Sequence, residues 1–269
     1  MQSTEYHGLK IVDSNQTKVN DFLVIEAPLQ ININAEPYTV VMRTPSNDFE
    51  LIRGLLYAED IYKANKEIEF TIIEEQENIP TIIKVTIPDK ELGKGYLNKR
   101  TLLSVSSCGI CGKKELKDLT FDGKKLKDSF TLTANHIHKM YTVMNSLQET
   151  YIKTGGSHAA ALFSSTRKML SVNEDIGRHN AVDKVIGDLI LKNNLKEAFY
   201  LLVSGRVSYE IVTKAFIAKI PIIVAVSACS SLAVDFAKEF GICLIGFTRQ
   251  HKMTVYANTN AIINTVADE

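Results

Sequence analysis

The sequence predicts an α/β protein, with a largely parallel C-terminal sheet covered by helices on both faces and a smaller, β-rich α+β lobe before it. Three observations predict this. From Leu132 onward, short apolar runs alternate with amphipathic ones. Before residue 100, strand-like runs crowd around a single helical pattern. At 269 residues and 45% hydrophobic, the chain can bury cores of that size.

In the first lobe, apolar runs at 22–25, 29–33 and 38–42 read as strands, the last two joined by a short connection at 34–37. Residues 44–48 (TPSND) open a helix with Ser46 or Asn47 as N-cap, and Phe49, Ile52, Leu55 and Leu56 recur behind it at helical spacing. Two further strands are expected at 67–73 and 81–87, split by an acidic loop containing Pro80, with a Gly- and Lys-rich linker at 89–100. The stretch 106–128 carries SCGICGKK and a polar, Lys-rich run, and reads as a mobile loop. The division expected is 1–105, 106–128 and 129–269.

In the last unit a long helix fits 134–152, and AAALF (159–163) and MLSV (169–172) read as strands. A helix at 179–193 has Val182, Val185, Ile186, Leu189 and Ile190 on one face. Strands at 198–204, 221–227 and 243–247 alternate with helices at 208–219 and 232–240, and 253–257 reads as another strand.

Lys+Arg and Asp+Glu are equal at 31 each, which argues against a general nucleic-acid or acidic-membrane binder. The N-terminus lacks an apolar signal-peptide core, and stretches such as IPIIVAVSAC from Ile220 are half a bilayer span. Four cysteines are too few for a disulfide scaffold, so a soluble protein of a reducing cytoplasm is expected.

The residues that end each strand point to a site. MLSV leads into NEDIGRHN, YLLVS into GRVS, IIVAVS into ACSS, and CLIGF into TRQHKM. Ligands of open α/β sheets bind at the carboxyl ends of strands. Arg178, His179, Arg206, Arg249, His251 and Lys252 should therefore converge, together with helix N-termini, on a pocket suited to phosphate or pyrophosphate. The bland alternative pairs these arginines with Glu174, Asp175, Asp183 and Glu210. Neither GxGxxG nor GxxxxGK[ST] occurs.

Cys108 and Cys111 form a CxxC pair flanked by Gly109, Gly112, Lys113 and Lys114. Such a pair serves as half a zinc site, a redox dithiol or a sulfur-handling nucleophile. Zinc is poorly supported: His136 and His138 stand two apart at the start of a helix, no second CxxC exists, and a deaminase-type His-x-Glu is missing. No metal site is assigned. Cys243 begins a buried strand and reads as core packing. Cys229 reads the same way, or as part of the pocket wall.

SCGICGK (107–113), TGGSHAAAL (154–162), EDIGRHNAVDK (174–184), SGRVSYEIVTKA (204–215) and GFTRQHKMTVY (246–256), in this order, resemble the formate dehydrogenase accessory sulfurtransferases, the FdhD family. The resemblance implies a homodimeric protein whose C-terminal part is a cytidine deaminase-like three-layer fold without the zinc chemistry. It implies that Cys108 accepts sulfur from a cysteine desulfurase as a persulfide, with Cys111 assisting transfer or release. The acceptor is the molybdenum bis(molybdopterin guanine dinucleotide) cofactor, destined for the formate dehydrogenase apoprotein. The matching cofactor strip is Phe247, Thr248, Arg249, Gln250, His251 and Lys252, joined by Arg178, His179 and Arg206, and GDP or GMP should mimic the ligand. Where the family commonly has Ala-Pro-Thr, this chain has Ala228, Cys229 and Ser230. The alternatives are a guanine-nucleotide-binding module whose CxxC is a redox switch, and a zinc-dependent deaminase-like hydrolase.

Overall fold

A hairpin opens the chain. Strands β1 (Ser3–Val12) and β2 (Asn15–Val24) pair antiparallel along their whole length, from Ser3 opposite Val24 to Val12 opposite Asn15. They form a sheet of their own. The sequence pattern signals only the last residues of this ribbon, because β1 mixes polar and apolar residues without alternation. The computed structural model describes residues 2–97, 124–126, 132–249 and 252–258.

A second sheet comes next, in the order β4 (Glu36–Arg43), β3 (Ala27–Ile33), β6 (Ile79–Thr86), β5 (Glu69–Gln76). Leu29, Ile31, Ile33, Ile83 and Val85 are fully buried from one face of it, against Leu51, Ile52 and Leu56 of helix α1 (Asp48–Ala58). The expected acidic loop between β5 and β6 is instead a tight turn at Glu77 and Asn78, both with positive φ as hairpin turns require. Pro80 lies inside β6, opposite Glu75; it is tolerated because pairing with β3 begins only at Ile82. Asn47 precedes α1 as expected but does not cap it: its backbone is left-handed, and its side chain bonds Asn173 instead. The expected linker is also packed rather than free: Cβ atoms on Gly93 and Gly95 would stand 2.1 and 1.8 Å from the Asp60 and Glu59 carbonyl oxygens.

The third sheet has the order β12 (Lys252–Ala257), β11 (Cys243–Arg249), β10 (Ile222–Ala225), β9 (Ala198–Val203), β7 (His158–Ser164), β8 (Met169–Asp175). Its centre, β9–β10–β11, is parallel. Its flanks are not: β7 runs against both β8 and β9, and β12 runs against β11. Antiparallel flanks arise because the stretches of sequence between β7 and β8 and between β11 and β12 are too short for the helical crossover that a parallel pair needs. Helices α4 (Arg178–Leu191), α5 (Tyr209–Ile217) and α6 (Ser231–Phe240) bury their apolar faces on one side. Helix α2 (Ala134–Ser146) covers the other side through Ile137, Met140, Tyr141 and Met144. The expected single helix over 134–152 is broken, and α3 (Glu149–Thr154) starts anew. The Glu174 carboxylate accepts the N–H groups of Thr150 and Tyr151, so a buried anion sits where the new helix presents free donors.

The two larger sheets are joined through α1 and α4. A Cβ on Gly54 would stand 2.0 Å from the Asp183 carbonyl oxygen, and one on Gly187 would stand 1.9 Å from that of Glu50. Only glycine permits that approach of backbones. Beside this crossing, Lys184 is fully buried and bonds the Asp175 carboxylate at 2.8 Å and the Thr44 carbonyl at 2.9 Å. Among the described residues no helix is long and apolar enough to cross a membrane.

Candidate functional site

Strands β8, β9, β10 and β11 share one direction, so their carboxyl ends lie at the same end of the sheet, as expected. The structure then sorts the residues there by whether they are partnered. Every carboxylate named as a possible arginine partner is taken by another group. Asp175 holds Lys184, the Asn180 amide and the backbone N–H groups of Thr44 and Gly177. Glu174 caps α3 and accepts from Ser157. Asp183 pairs with Lys214 at 2.6 Å, and Glu210 with His179 at 3.0 Å. Arg178, Arg206, Arg249 and Lys252 have no carboxylate partner among the described residues. The bland alternative is thus overturned for Arg178, Arg206 and Arg249. The residue that does pair is His179, whose Nε2 also lies 3.0 Å from Ser208 Oγ and which joins α4 to the start of α5.

The unpartnered cations form two groups. The first borders a cavity of about 450 Å³ between α2 and the ends of β10, β11 and β12. Thr248, Arg249, Lys252 and Met253 line one side; His138, Tyr141, Thr142 and Asn145 line the other. A bulge between Gly246 and Arg249 shapes the wall. Phe247 takes φ 51°, outside the usual range for a bulky residue, and is held there by its N–H donating to the Ser227 carbonyl at 3.0 Å. Its ring is half exposed, while the Thr248 hydroxyl oxygen is buried with no hydrogen-bond partner among the described residues. Gln148, just before α3, donates to Oδ1 of Asn145 on α2 at 2.8 Å, which leaves the Asn145 amide N–H groups as donors. Gln250 and His251 lie outside the described residues.

The second group stands where α4 begins. Gly205 brings the β9–α5 turn against His158: a Cβ there would be 3.2 Å from His158 Nδ1 and 3.5 Å from Arg178 Cβ. Burial, then the charges of Arg178 and Arg206, hold the His158 imidazole below its usual pKa and favour its neutral form. Arg178 Nε is buried without a partner among the described residues, and neither Gly177 nor Ser208 caps its helix with a side chain. Helix N-termini and arginines around a neutral imidazole form a donor-rich surface for an anion.

Cys108 and Cys111 lie outside the described residues. Of the segment expected to be a loop, 124–126 is described, and the Leu126 N–H bonds the Phe240 carbonyl at 2.9 Å. Burial pushes the Cys229 thiol up to about 11 and that of Cys243 up to about 12, so both stay protonated and serve packing. Cys229 Sγ would be 3.0 Å from a Cβ on Gly246, which makes it wall material beside the bulge. His136 is a capping residue: its backbone N–H bonds Thr133 Oγ1, and its ring accepts from the Thr133 N–H.

Residues 24–263 match the FdhD/NarQ family. The chain belongs to that family. It is 40% identical over 249 residues to the sulfur carrier protein FdhD of Mycolicibacterium paratuberculosis, a match covering 89% of this chain and 91% of that protein. It is 39% identical to the sulfur carrier protein FdhD of Sulfolobus acidocaldarius, covering 97% and 99% respectively. In fold it matches a crystal structure of a putative formate dehydrogenase accessory protein from Desulfotalea psychrophila at TM-score 0.76 and 22% identity, covering 98% of this chain and all of that one.

Four residues of the candidate site in this FdhD/NarQ family chain escape a reading by motif. His158 sits inside TGGSHAAAL, where its nearness to Arg178 and Arg206 depends on the β7 direction that the sequence does not reveal. His138, Thr142 and Asn145 recur at i, i+4 and i+7 on α2, opposite the apolar Ile137, Met140 and Met144, and that polar stripe is the signal that could have found them.

Proposed function

We propose that this chain is a sulfur carrier for the maturation of formate dehydrogenase, working on the molybdenum bis(molybdopterin guanine dinucleotide) cofactor as its substrate. The observation that carries the reading is the set of cations left without carboxylates among the described residues at the strand ends of a chain that belongs to the FdhD/NarQ family. The substrate is a large anion with guanine ends. The cavity between α2 and β11 suits a nucleotide end, with Arg249 and Lys252 meeting phosphate and Asn145 and Thr248 supplying directed donors. Arg178, Arg206 and the start of α4 meet further negative charge. The strand order, with β7 reversed beside a parallel centre and helices on both faces, supports a deaminase-like ancestry for this domain.

In the chemistry proposed, the Cys108 thiolate attacks the outer sulfur of a desulfurase persulfide. A new S–S bond forms on Cys108 as the donor's S–S bond breaks, and the desulfurase leaves as a thiolate. For release, the Cys111 thiolate attacks Cys108 Sγ. The Cys108–Cys111 disulfide forms, the outer sulfur departs as sulfide to the molybdenum, and an external thiol later reduces the disulfide.

Mass spectrometry after incubation with a cysteine desulfurase and cysteine tests this. The peptide carrying Cys108 should gain one sulfur, about 32 Da, and lose it on treatment with a thiol. Cys108→Ala should abolish the adduct and Cys111→Ala should retain it. A peptide that never gains sulfur would leave the redox-switch reading in its place.

A further inference from the structure

Thr44 belongs to the smaller lobe, in the connection between β4 and α1, yet its polar groups reach the segment that opens α4 in the other. It is fully buried. Its N–H donates to Asp175 Oδ2 at 3.1 Å, and its hydroxyl oxygen accepts the Ile176 N–H at 3.0 Å. Its carbonyl accepts from Lys184 Nζ at 2.9 Å.

The loop that carries Thr44 is held rigidly. Arg43 and Asp48 bracket it and pair through two buried bonds, at 2.8 and 3.0 Å. Arg43 also donates to the carbonyls of Ala27 and Pro80, which ties the bracket to the sheet behind it. Inside the bracket Ser46 and Asn47 take φ 93° and 54°. Two successive residues with side chains in left-handed conformations are costly and persist only where the surroundings over-determine them. Here Gln2 donates to Ser46 Oγ, and Asn47 donates to Asn173 Oδ1 on β8.

Across from Thr44, Ile176 and Gly177 form the turn from β8 into α4. Thr44 Oγ1 takes the first N–H of that turn and Asp175 Oδ1 takes the second, at 2.8 Å. The next residue is Arg178, whose Nε is buried without a partner among the described residues. The orientation of the turn therefore sets where the Arg178 side chain leaves the backbone and where the first N–H groups of α4 point. The Ile176 bond is not what joins the lobes. The Gly54–Gly187 crossing and the Lys184 bonds do that from further along α4.

We propose that Thr44 is a positioning residue for the anion site: its hydroxyl fixes the turn at Ile176 and Gly177 and so aims Arg178 at bound phosphate. This rests on the reading of Arg178 and Arg206 as anion-binding groups, and it adds to them a residue of the other lobe that touches no ligand. Valine has the same shape as threonine without the acceptor, and would leave the Ile176 N–H to turn toward another. Serine keeps the acceptor.

Calorimetric titration of inorganic pyrophosphate into the full chain tests the proposal. Arg178→Ala should weaken binding about ten-fold, as the loss of a charged hydrogen bond implies. Thr44→Val should weaken it by up to about ten-fold, within the range known for residues that act through others. Thr44→Ser should bind like the wild type. Added to Arg178→Ala, Thr44→Val should cost less than about two-fold more, because the group it aims is gone. A Thr44→Val protein that melts earlier but binds as tightly, or whose loss adds in full to that of Arg178→Ala, would overturn the positioning role and leave the anion site standing. A wild type that binds no pyrophosphate, or binds it no better than Arg178→Ala, would remove the site and the proposal together. Should Thr44→Val not fold, hydrogen exchange on the wild type decides. Pyrophosphate at ten times its dissociation constant should slow the Ile176 amide about ten-fold by mass action. An Ile176 amide indifferent to the ligand would overturn the proposal.

Discussion

Arg178 and Lys184 lie less than two turns apart on α4, within one run of sequence, and have opposite fates. Lys184 is fully buried and holds Asp175 and the Thr44 carbonyl, so it fastens the sheet carrying the site to the preceding lobe. Arg178 has a buried Nε with no partner among the described residues and stands beside Arg206 and His158. The contrast separates two uses of charge. A cation with its carboxylate beside it holds the structure; one denied a carboxylate, at the open end of a sheet, is available to a ligand.

The comparison breaks most visibly at the partnered end. Lys184→Met leaves the Asp175 carboxylate buried and short of its cation, and a broken buried pair typically costs about 3–5 kcal/mol. We expect a lower Cm in urea melts by an amount that threatens folding. Gly187→Val, which sets side-chain atoms against the Glu50 carbonyl, should act as severely. A Lys184→Met protein as stable as wild type would erase the distinction.

At the unpartnered end the effects should reverse. Arg206→Ala removes an exposed cation, so stability should stay within about 0.5 kcal/mol. Binding of an anionic nucleotide should weaken about ten-fold, as the loss of one charged hydrogen bond implies. A melting shift without an affinity change would place Arg206 with Lys184.

The smallest effect concerns His158. Its folded pKa lies below 6.5, so the folded state resists a proton that the unfolded chain accepts. Its contribution to stability is complete above 6.5 and declines as pH falls from 6.5 toward the folded value. His158→Gln should flatten that decline. Proton-detected titration of Arg206→Ala should show the His158 pKa moving back up, since one of the charges depressing it is gone. An unmoved titration would separate the two side chains.

Much of this was legible before any coordinates. Val182, Val185, Ile186, Leu189 and Ile190 are the buried face of α4 because a 3.6-residue period leaves no other face for them. The ends of four strands stood out as a candidate site because each apolar run stops at small or basic residues. What escaped depends on contacts distant in sequence. The break between α2 and α3 is fixed by Glu174, which lies well beyond both helices. Which cations remain free depends on Lys184, Lys214 and His179 reaching the carboxylates first. The ribbon escaped because exposed strands need no alternation of polar and apolar residues.

The account rests on charge withheld from the fold for a nucleotide-bearing anion, and calorimetric titration of guanosine diphosphate into the wild type and Arg249→Ala measures that most directly. Arg249 is exposed on the cavity rim, so its removal should leave the melting temperature unchanged and weaken binding about ten-fold or more. Equal affinity in the two proteins would contradict it.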